Sequence, residues 1–424
     1  MSKAYELIGA LTHLSRQFAS PDYDVAIEHF KGELPFETYL YGAEQEHNGW
    51  VIPPKYEVQK ALIKRNGTVI YDGMSHALGV PCHAAAFRGT VDRDTLKKHL
   101  WYDHRFPEAI PYHFRFSYRP WERDWGFCVP QTFYDSLSDD LYDIELDVHE
   151  GDKELKILEH VVPGSSGIEF AFIAHLDHPG MANDDLAGCA VGVELFQALA
   201  GRDLRHTYRL LLVQEILGSE IHLHAQPRLR ALQEGLFLEM LGVNRSLVVQ
   251  RARSTPTAME LALKEGLSER NIVFEEVGFR ESAQNDEIVF ESYGVPTVAL
   301  TRFPYPEYHS SRDNMSIIEQ ARLTEAVQVL QAVVDWHESD VYVERLFEGV
   351  ACLSNPRINL YVDPGQPALG ENLSGVAMHR FMEQICLLNG RSSVKVLASR
   401  CGVPFQDACR YLRLWEQRNL VRLL

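Results

Sequence analysis

Little in this sequence suits an extracellular, membrane or nucleic-acid-binding protein. The seven cysteines (Cys82, Cys128, Cys189, Cys352, Cys386, Cys401, Cys409) are an odd set with no CxxC pair, as expected of free thiols in a reducing cytoplasm. The opening MSKAYELIGALTHLSRQF lacks the apolar core of a signal peptide. No apolar run approaches the roughly 18 residues that span a bilayer. Basic charge is short as well: the net charge of −18 disfavours general binding to nucleic acid or anionic membrane. Internal repeats and low-complexity tracts are absent. The chain has 424 residues, 46% of them hydrophobic and 24% charged. That is ordinary globular composition, too long for one domain, so two or three are expected.

Texture changes along the chain suggest where those domains lie. Residues 4–18 and 22–31 read as amphipathic helices, the second opening after Ser20-Pro21. From Trp50-Val51-Ile52-Pro53-Pro54 to about residue 150 come short β-rich runs: ALIKRNGTVIYD with its Asn66-Gly67 turn, CHAAAFRG and PYHFRFSY. A helical stretch, VDRDTLKKHLWYD, sits among them. From about residue 167, strands alternate with helices. IEFAFIAH, YRLLLVQE, GLFLEML and GVPTVALTR are the strands, and DLAGCAVGVELFQALAG is a helix. This alternation predicts an α/β fold with a mostly parallel, doubly wound sheet. A loop rich in Pro and Gly (356–370) precedes three helical runs and the apolar end LVRLL, the size and order of a winged helix.

Ligands of an open parallel sheet gather at the carboxyl ends of its strands. His175 closes the first strand, Glu215 the second, Glu239 lies late in the third, and His309 sits beyond the fourth. Asp184 lies in the loop after the first. Singly, each has a plain structural explanation: a strand-end histidine is commonly just hydrogen-bonded, and Asp184 or Asp185 would suit the cap of the next helix. Together, two imidazoles and three carboxylates suit a borderline metal such as zinc. Without a cation the carboxylates would repel, and one would stay protonated.

The segments HLD, ANDDLAG, a Glu followed by Gly-Ser, LEMLG and YHSSRDN resemble, in order and spacing over roughly residues 160–340, the co-catalytic zinc aminopeptidases. That clan includes the bacterial leucyl aminopeptidases and the glutaminyl cyclases. Nearly the whole chain is similar to a bacterial group of aminopeptidase-like proteins, some associated with surface-glycan biosynthesis. In that group a small domain opening with W-x-x-P, here Trp50 to Pro53, is inserted into the peptidase domain, and a winged helix follows. The insertion would close near RDWGFC (123–128). The resemblance implies a metallohydrolase domain over 1–50 and 151–355, an inserted α+β domain over 51–150 and a winged-helix domain over 370–424. It implies zinc, one or two ions per chain. His175 and Glu239 would bind the first ion, His309 the second, and Asp184 would bridge them. Asp177 would hold the His175 ring, and the peptide from Asp184 to Asp185 would be cis. A metal-activated water would attack an amide carbonyl of a substrate bearing a free amino group.

One departure stands out. The aminopeptidases carry two adjacent glutamates after the second strand, the first a general base and the second a ligand. This chain has Gln214-Glu215, so Glu215 must be one or the other. Glu220 is a candidate replacement, although a first-turn acid is ordinarily a solvated one. Asp286 and Glu287 fall where the clan lines its substrate pocket, and Tyr308 and Arg312 flank His309. His178, His222, His224, His99 and His104 match no position of the pattern. The tail from Val376 to Leu424 has eight Lys/Arg against three acids, which suits docking or self-association better than DNA. The expected partner is a small-molecule or peptide substrate, with no membrane or nucleic acid, and a homo-oligomer would form through the inserted or winged-helix segment. The alternatives are an amidohydrolase or deacylase in surface-glycan synthesis, and a non-catalytic regulator using the winged helix.

Overall fold

Apolar runs with no polar face pair side by side at the centre of the molecule, because such strands must be covered on both sides. The computed structural model describes residues 2–254, 256–365 and 375–424. The central strands are β1 (Glu37–Tyr41), β2 (Leu155–Val162), β3 (Glu169–His175), β4 (Thr207–Val213), β5 (Glu234–Glu239), β6 (Leu247–Gln250), β7 (Phe274–Val277) and β8 (Thr297–Thr301). They form one sheet in the order β1-β2-β4-β3-β5-β8-β6-β7. Neighbours among β4, β3, β5 and β8 are parallel. β2 opposes β1 and β4, and β6 opposes β8.

Alternation along β3 shows how the sheet is covered. Phe170, Phe172 and Ala174 enter one core with α1 (Lys3–Leu11), α2 (Pro21–Glu33), α3 (Gly188–Leu199), α5 (Ala258–Glu269) and α7 (Gln320–Glu338). Ala171 and Ile173 enter the other, beneath α4 (Leu217–Ala225) and α6 (Glu287–Ser292). At the start of α3 the helix touches β5 so closely that a Cβ on Gly188 would lie 2.3 Å from the Leu238 carbonyl oxygen. Only glycine fits there.

Three expectations need correction. The first helix stops at Leu11, not near residue 18. Arg16 instead turns inward, fully buried, and donates to the carbonyls of Leu11, Leu176, His178 and Met181. The aromatic run PYHFRFSY is not a strand: it makes an isolated bridge at Pro111 and a turn of helix over Arg115–Tyr118. Its backbone is spent elsewhere, with the Tyr112 amide donating to the His309 carbonyl at 3.0 Å. Finally, the β-rich stretch does not close at RDWGFC. The separate four-stranded sheet of Pro54–Arg65, Thr68–Asp72, Phe87–Asp92 and Leu141–Lys153 reaches well past it.

At the other end, Tyr342–Arg345 pairs antiparallel with both Arg391–Ser393 and Val421–Leu423. Helices α8 (Gly375–Cys386), α9 (Val394–Cys401) and α10 (Phe405–Glu416) pack with them around Trp415, Tyr411 and Phe381. Residues 366–374, which hold the end of the Pro/Gly-rich loop and the start of the expected C-terminal domain, lie outside the described residues. Among the described residues no helix is long and apolar enough to cross a membrane.

Candidate metal centre

The carboxyl ends of β3, β4, β5 and β8 meet at one edge of the sheet, and there the chain gathers its buried charge. His175 is the last residue of β3 and Glu239 the last of β5. Asp184 precedes α3, and its peptide to Asp185 is cis. His309 comes from the loop after β8. One carboxylate lies at the focus: Asp184 Oδ1 is 3.0 Å from His175 Nε2, and its Oδ2 is 3.2 Å from His309 Nε2.

Much of the surrounding backbone is fixed by acids. Asp313 accepts the amides of Ala182, Asn183 and Asp184 and the Tyr305 hydroxyl. Asp185 accepts the amides of Gly188 and Met240 at 3.0 and 2.9 Å. Asp177, expected to hold the His175 ring, instead accepts the Glu215 amide at 2.8 Å. The carboxylate nearest His175 Nδ1 is Asp286, at 4.0 Å. Asp286 also accepts the Ile216 amide at 2.9 Å. Those two amide bonds hold Ile216 at φ +57°, a region a β-branched residue enters at a cost of roughly 1–3 kcal/mol.

Burial sets the electrostatics. It pushes Asp177 up to about 8 and raises Asp185 and Glu239 well above the carboxylate range. It also lifts Asp286 to about 6. Burial would raise Asp184 too, but the imidazoles of His178, His175 and His309 hold its carboxyl well below its usual value. His175 goes the other way: burial disfavours its charge, yet the Asp184 hydrogen bond and the charge of Asp185 raise it. So many carboxyls in one buried place call for positive charge. Asp184 Oδ2, Glu239 Oε2, Asp286 Oδ2 and His309 Nε2 are buried with no hydrogen-bond partner. Buried polar atoms left without partners are what a cation would satisfy, so this donor set fits zinc.

One histidine that matches no position of the aminopeptidase pattern lies in this site. His178 is buried, stacks on His175 with ring centroids 4.4 Å apart, and belongs to both compact groups of potential ligands, His175–His178–Asp184 and Asp177–His178–Glu215. Burial pushes its imidazole well below the usual value. The signal was present, since His178 is three residues after His175, but strand alternation does not reach beyond the strand end. Glu239 is turned toward Asn285, whose side-chain amide donates to it.

Other expected residues are displaced. Asp286 and Glu287 do not face the substrate space. Glu287 is buried and pairs with Arg280 at 3.2 Å, with burial lifting its carboxyl to about 7. Arg312 lies out over Phe106. Glu220 is not a solvated first-turn acid: it is buried and accepts from Asn48 and Tyr293. It belongs to neither compact ligand group. His222 is held by Tyr41, and His224 stacks on His47. Tyr308 stacks on His309 at 3.7 Å.

Above the centre lies a cavity of about 790 Å³. Glu215, Glu239, Asn285, Tyr308 and His309 form its floor, and Trp50, Phe114, Arg115, Tyr118 and Arg119 its wall. Tyr118 donates to Glu215 Oε2 at 2.9 Å. The Glu215 side chain is 18% exposed against 2% for Asp184, so Glu215 can reach a molecule in the cavity.

This fold is that of the zinc aminopeptidases. The zinc aminopeptidase BSAP from Bacillus subtilis is similar with a TM-score of 0.60 at 13% identity, over 78% of this chain and 93% of that one. A peptidase M28 precursor from Shewanella amazonensis gives 0.57 at 14% identity, over 80% and 94%. The crystal structure of a protein from Clostridium acetobutylicum, described as a peptidase, matches 99% of this chain and 96% of its own at 21% identity and a TM-score of 0.76. A Clostridium acetobutylicum sequence, 23% identical over 95% of this chain and 92% of its own, is named for polysaccharide biosynthesis and an aminopeptidase-like domain. The chain belongs to the family described as a domain of unknown function, DUF4910, which matches residues 5–340.

Proposed function

We propose that this protein is a zinc-dependent hydrolase of the aminopeptidase type, cleaving an amide in a substrate with a free amino group. The observation that carries this reading is Asp184, whose two carboxylate oxygens each face a different imidazole, at 3.0 and 3.2 Å. A single carboxylate so placed suits a bridge between two ions. His175, Asp184, Glu239 and His309 would hold the zinc. Bound zinc supplies an activated water and polarises the scissile carbonyl. Glu215 then accepts a proton in the cavity, held by Tyr118 at its carboxylate and by Asp177 at its amide. Phe114 and Trp50 exclude solvent from the wall side.

The name of the Clostridium relative and the aromatic wall favour a second reading, an N-acyl amino sugar as the amide. The C-terminal helices and sheet fit a winged helix used for docking. Lys395 caps Trp336 and bonds Ser339, and Arg205 reaches the carbonyls of Asp340 and Leu424.

Zinc analysis of protein purified without chelator, followed by assays on aminoacyl p-nitroanilides and N-acyl amino sugars, tests the proposal. Bound zinc with aminoacyl turnover is expected, and Glu215→Gln should lower kcat by about 10²–10⁴-fold. Protein that takes up no zinc would sink it. Zinc with turnover of N-acyl sugars only would select the second reading.

A further inference from the structure

We infer that His178 is a metal ligand at this centre, taking the place of the second glutamate of the aminopeptidase pair, and that Glu215 is thereby left free as the general base that Gln214 cannot be. The inference rests on the zinc reading above and deepens it.

His178 Nε2 lies 3.8 Å from Asp184 Oδ2 and 3.8 Å from Glu215 Oε2. Both separations are too long for hydrogen bonds. Two donors about 2.1 Å from one zinc at a tetrahedral angle lie about 3.4 Å apart, so the His178–Asp184 spacing suits a shared ion. His309 Nε2 approaches the same Asp184 oxygen at 3.2 Å. The buried Nδ1 of His178 has no hydrogen-bond partner. The ring is held by other means. Its backbone carbonyl accepts from the buried Arg16, its face stacks on His175, and Tyr112 packs against it at 5.2 Å.

The position of Glu215 supports the second half. Its carboxylate groups with His178 and Asp177 rather than with His175, His178 and Asp184. It is bonded to Tyr118 and open to the cavity. A ligand would be expected among the other donors, whereas a base must meet the substrate side. His175, His178 and Asp184 form a compact set of three donors that does not include Glu215. That is the number an open catalytic zinc site uses.

Zinc stoichiometry and affinity, read by competition with a chromophoric chelator, test this without reference to turnover. In the wild-type chain two equivalents are expected. His178→Ala should weaken one of them by about 100-fold or more, while circular dichroism and thermal unfolding show the fold retained. His178→Asn is the second variant, keeping polarity while removing the imidazole. Glu215→Gln should keep both equivalents at wild-type affinity and lose turnover. Wild-type affinities in both His178 variants would overturn the inference and leave the zinc reading standing. Loss of zinc in Glu215→Gln would overturn its second half. A wild-type chain with no zinc would overturn the zinc reading itself.

Discussion

The floor and the wall of the cavity are built from different parts of the chain and by different physics. The floor consists of strand ends and the loops just past them. His175, Asp184 and Glu239 are all but fully buried and are surrounded by backbone amides that acids hold in place. The wall comes from Trp50 and from residues 114–119, where Arg115 and Arg119 are 58% and 48% exposed. The two meet at a few contacts: Tyr118 on Glu215, the Tyr112 amide on the His309 carbonyl, and Arg105 on the Tyr308 carbonyl. A floor of this kind tolerates no rearrangement, because every group displaced leaves another buried and unpaired. A half-exposed wall can vary. On the proposed function, the chemistry belongs to the floor and the choice of substrate to the wall.

The floor should break most severely at Arg16. Its guanidinium serves four carbonyls, three of them in the 176–181 loop that carries His178. Burial brings its pKa down to about 10, so it remains charged at neutral pH. Arg16→Met is expected to cost more than about 3 kcal/mol, since it strands buried acceptors. Denaturant unfolding would measure the loss. Arg16→Lys should recover only part of it, because an ammonium lacks the planar fork. A midpoint unchanged in Arg16→Met would show the loop to be self-supporting.

The same contrast explains what could be read from the amino-acid order. IEFAFIAH and GLFLEML announce buried strands, and the rule that ligands gather at strand ends then selects His175, Glu215 and Glu239. His309 and Asp184 come in from the loops just past strand ends, and the resemblance gives them their roles. His178 was missed because its position depends on how the loop after His175 curls back, which Arg16 sets from 160 residues away. Asp177 and Asp286 were given the wrong partners for a similar reason. An acid near a metal site can serve a ring or an amide, and only the path of the backbone decides. PYHFRFSY has the composition of a strand, yet its backbone bonds go to Cys82 and His309. Tertiary pairing overrode local preference.

Tyr118 is where floor and wall join, and its effect should be intermediate. Burial and the neighbouring Glu215 raise its pKa well above 10, so the hydroxyl keeps its proton and donates. A hydrogen bond to a charged group contributes roughly 1.5–3 kcal/mol. Part of it would be replaced by water, since Glu215 faces the cavity. Tyr118→Phe should lower kcat about tenfold with zinc content and fold unchanged. Steady-state kinetics on an aminoacyl p-nitroanilide would show it. A change within twofold would show that Tyr118 acts only as part of the wall.

The smallest expected effect concerns the wall's charge. Arg115 and Arg119 share a single acid, Glu122, each at 3.4 Å. Three charges therefore leave one positive charge facing the cavity. An anionic group on the substrate would meet it, but in half-exposed surroundings such a contact is worth only about 0.2–1 kcal/mol. Arg119→Ala leaves Arg115 and Glu122 balanced. It should lower the preference for an anionic over a neutral substrate by about two- to fivefold, seen as the ratio of kcat/KM for Leu-Asp and Leu-Asn. Glu122→Gln should raise that ratio, because both guanidinium groups then face the cavity unopposed. The opposed signs matter more than either magnitude: a wall that only shaped the cavity would move both variants the same way, or neither.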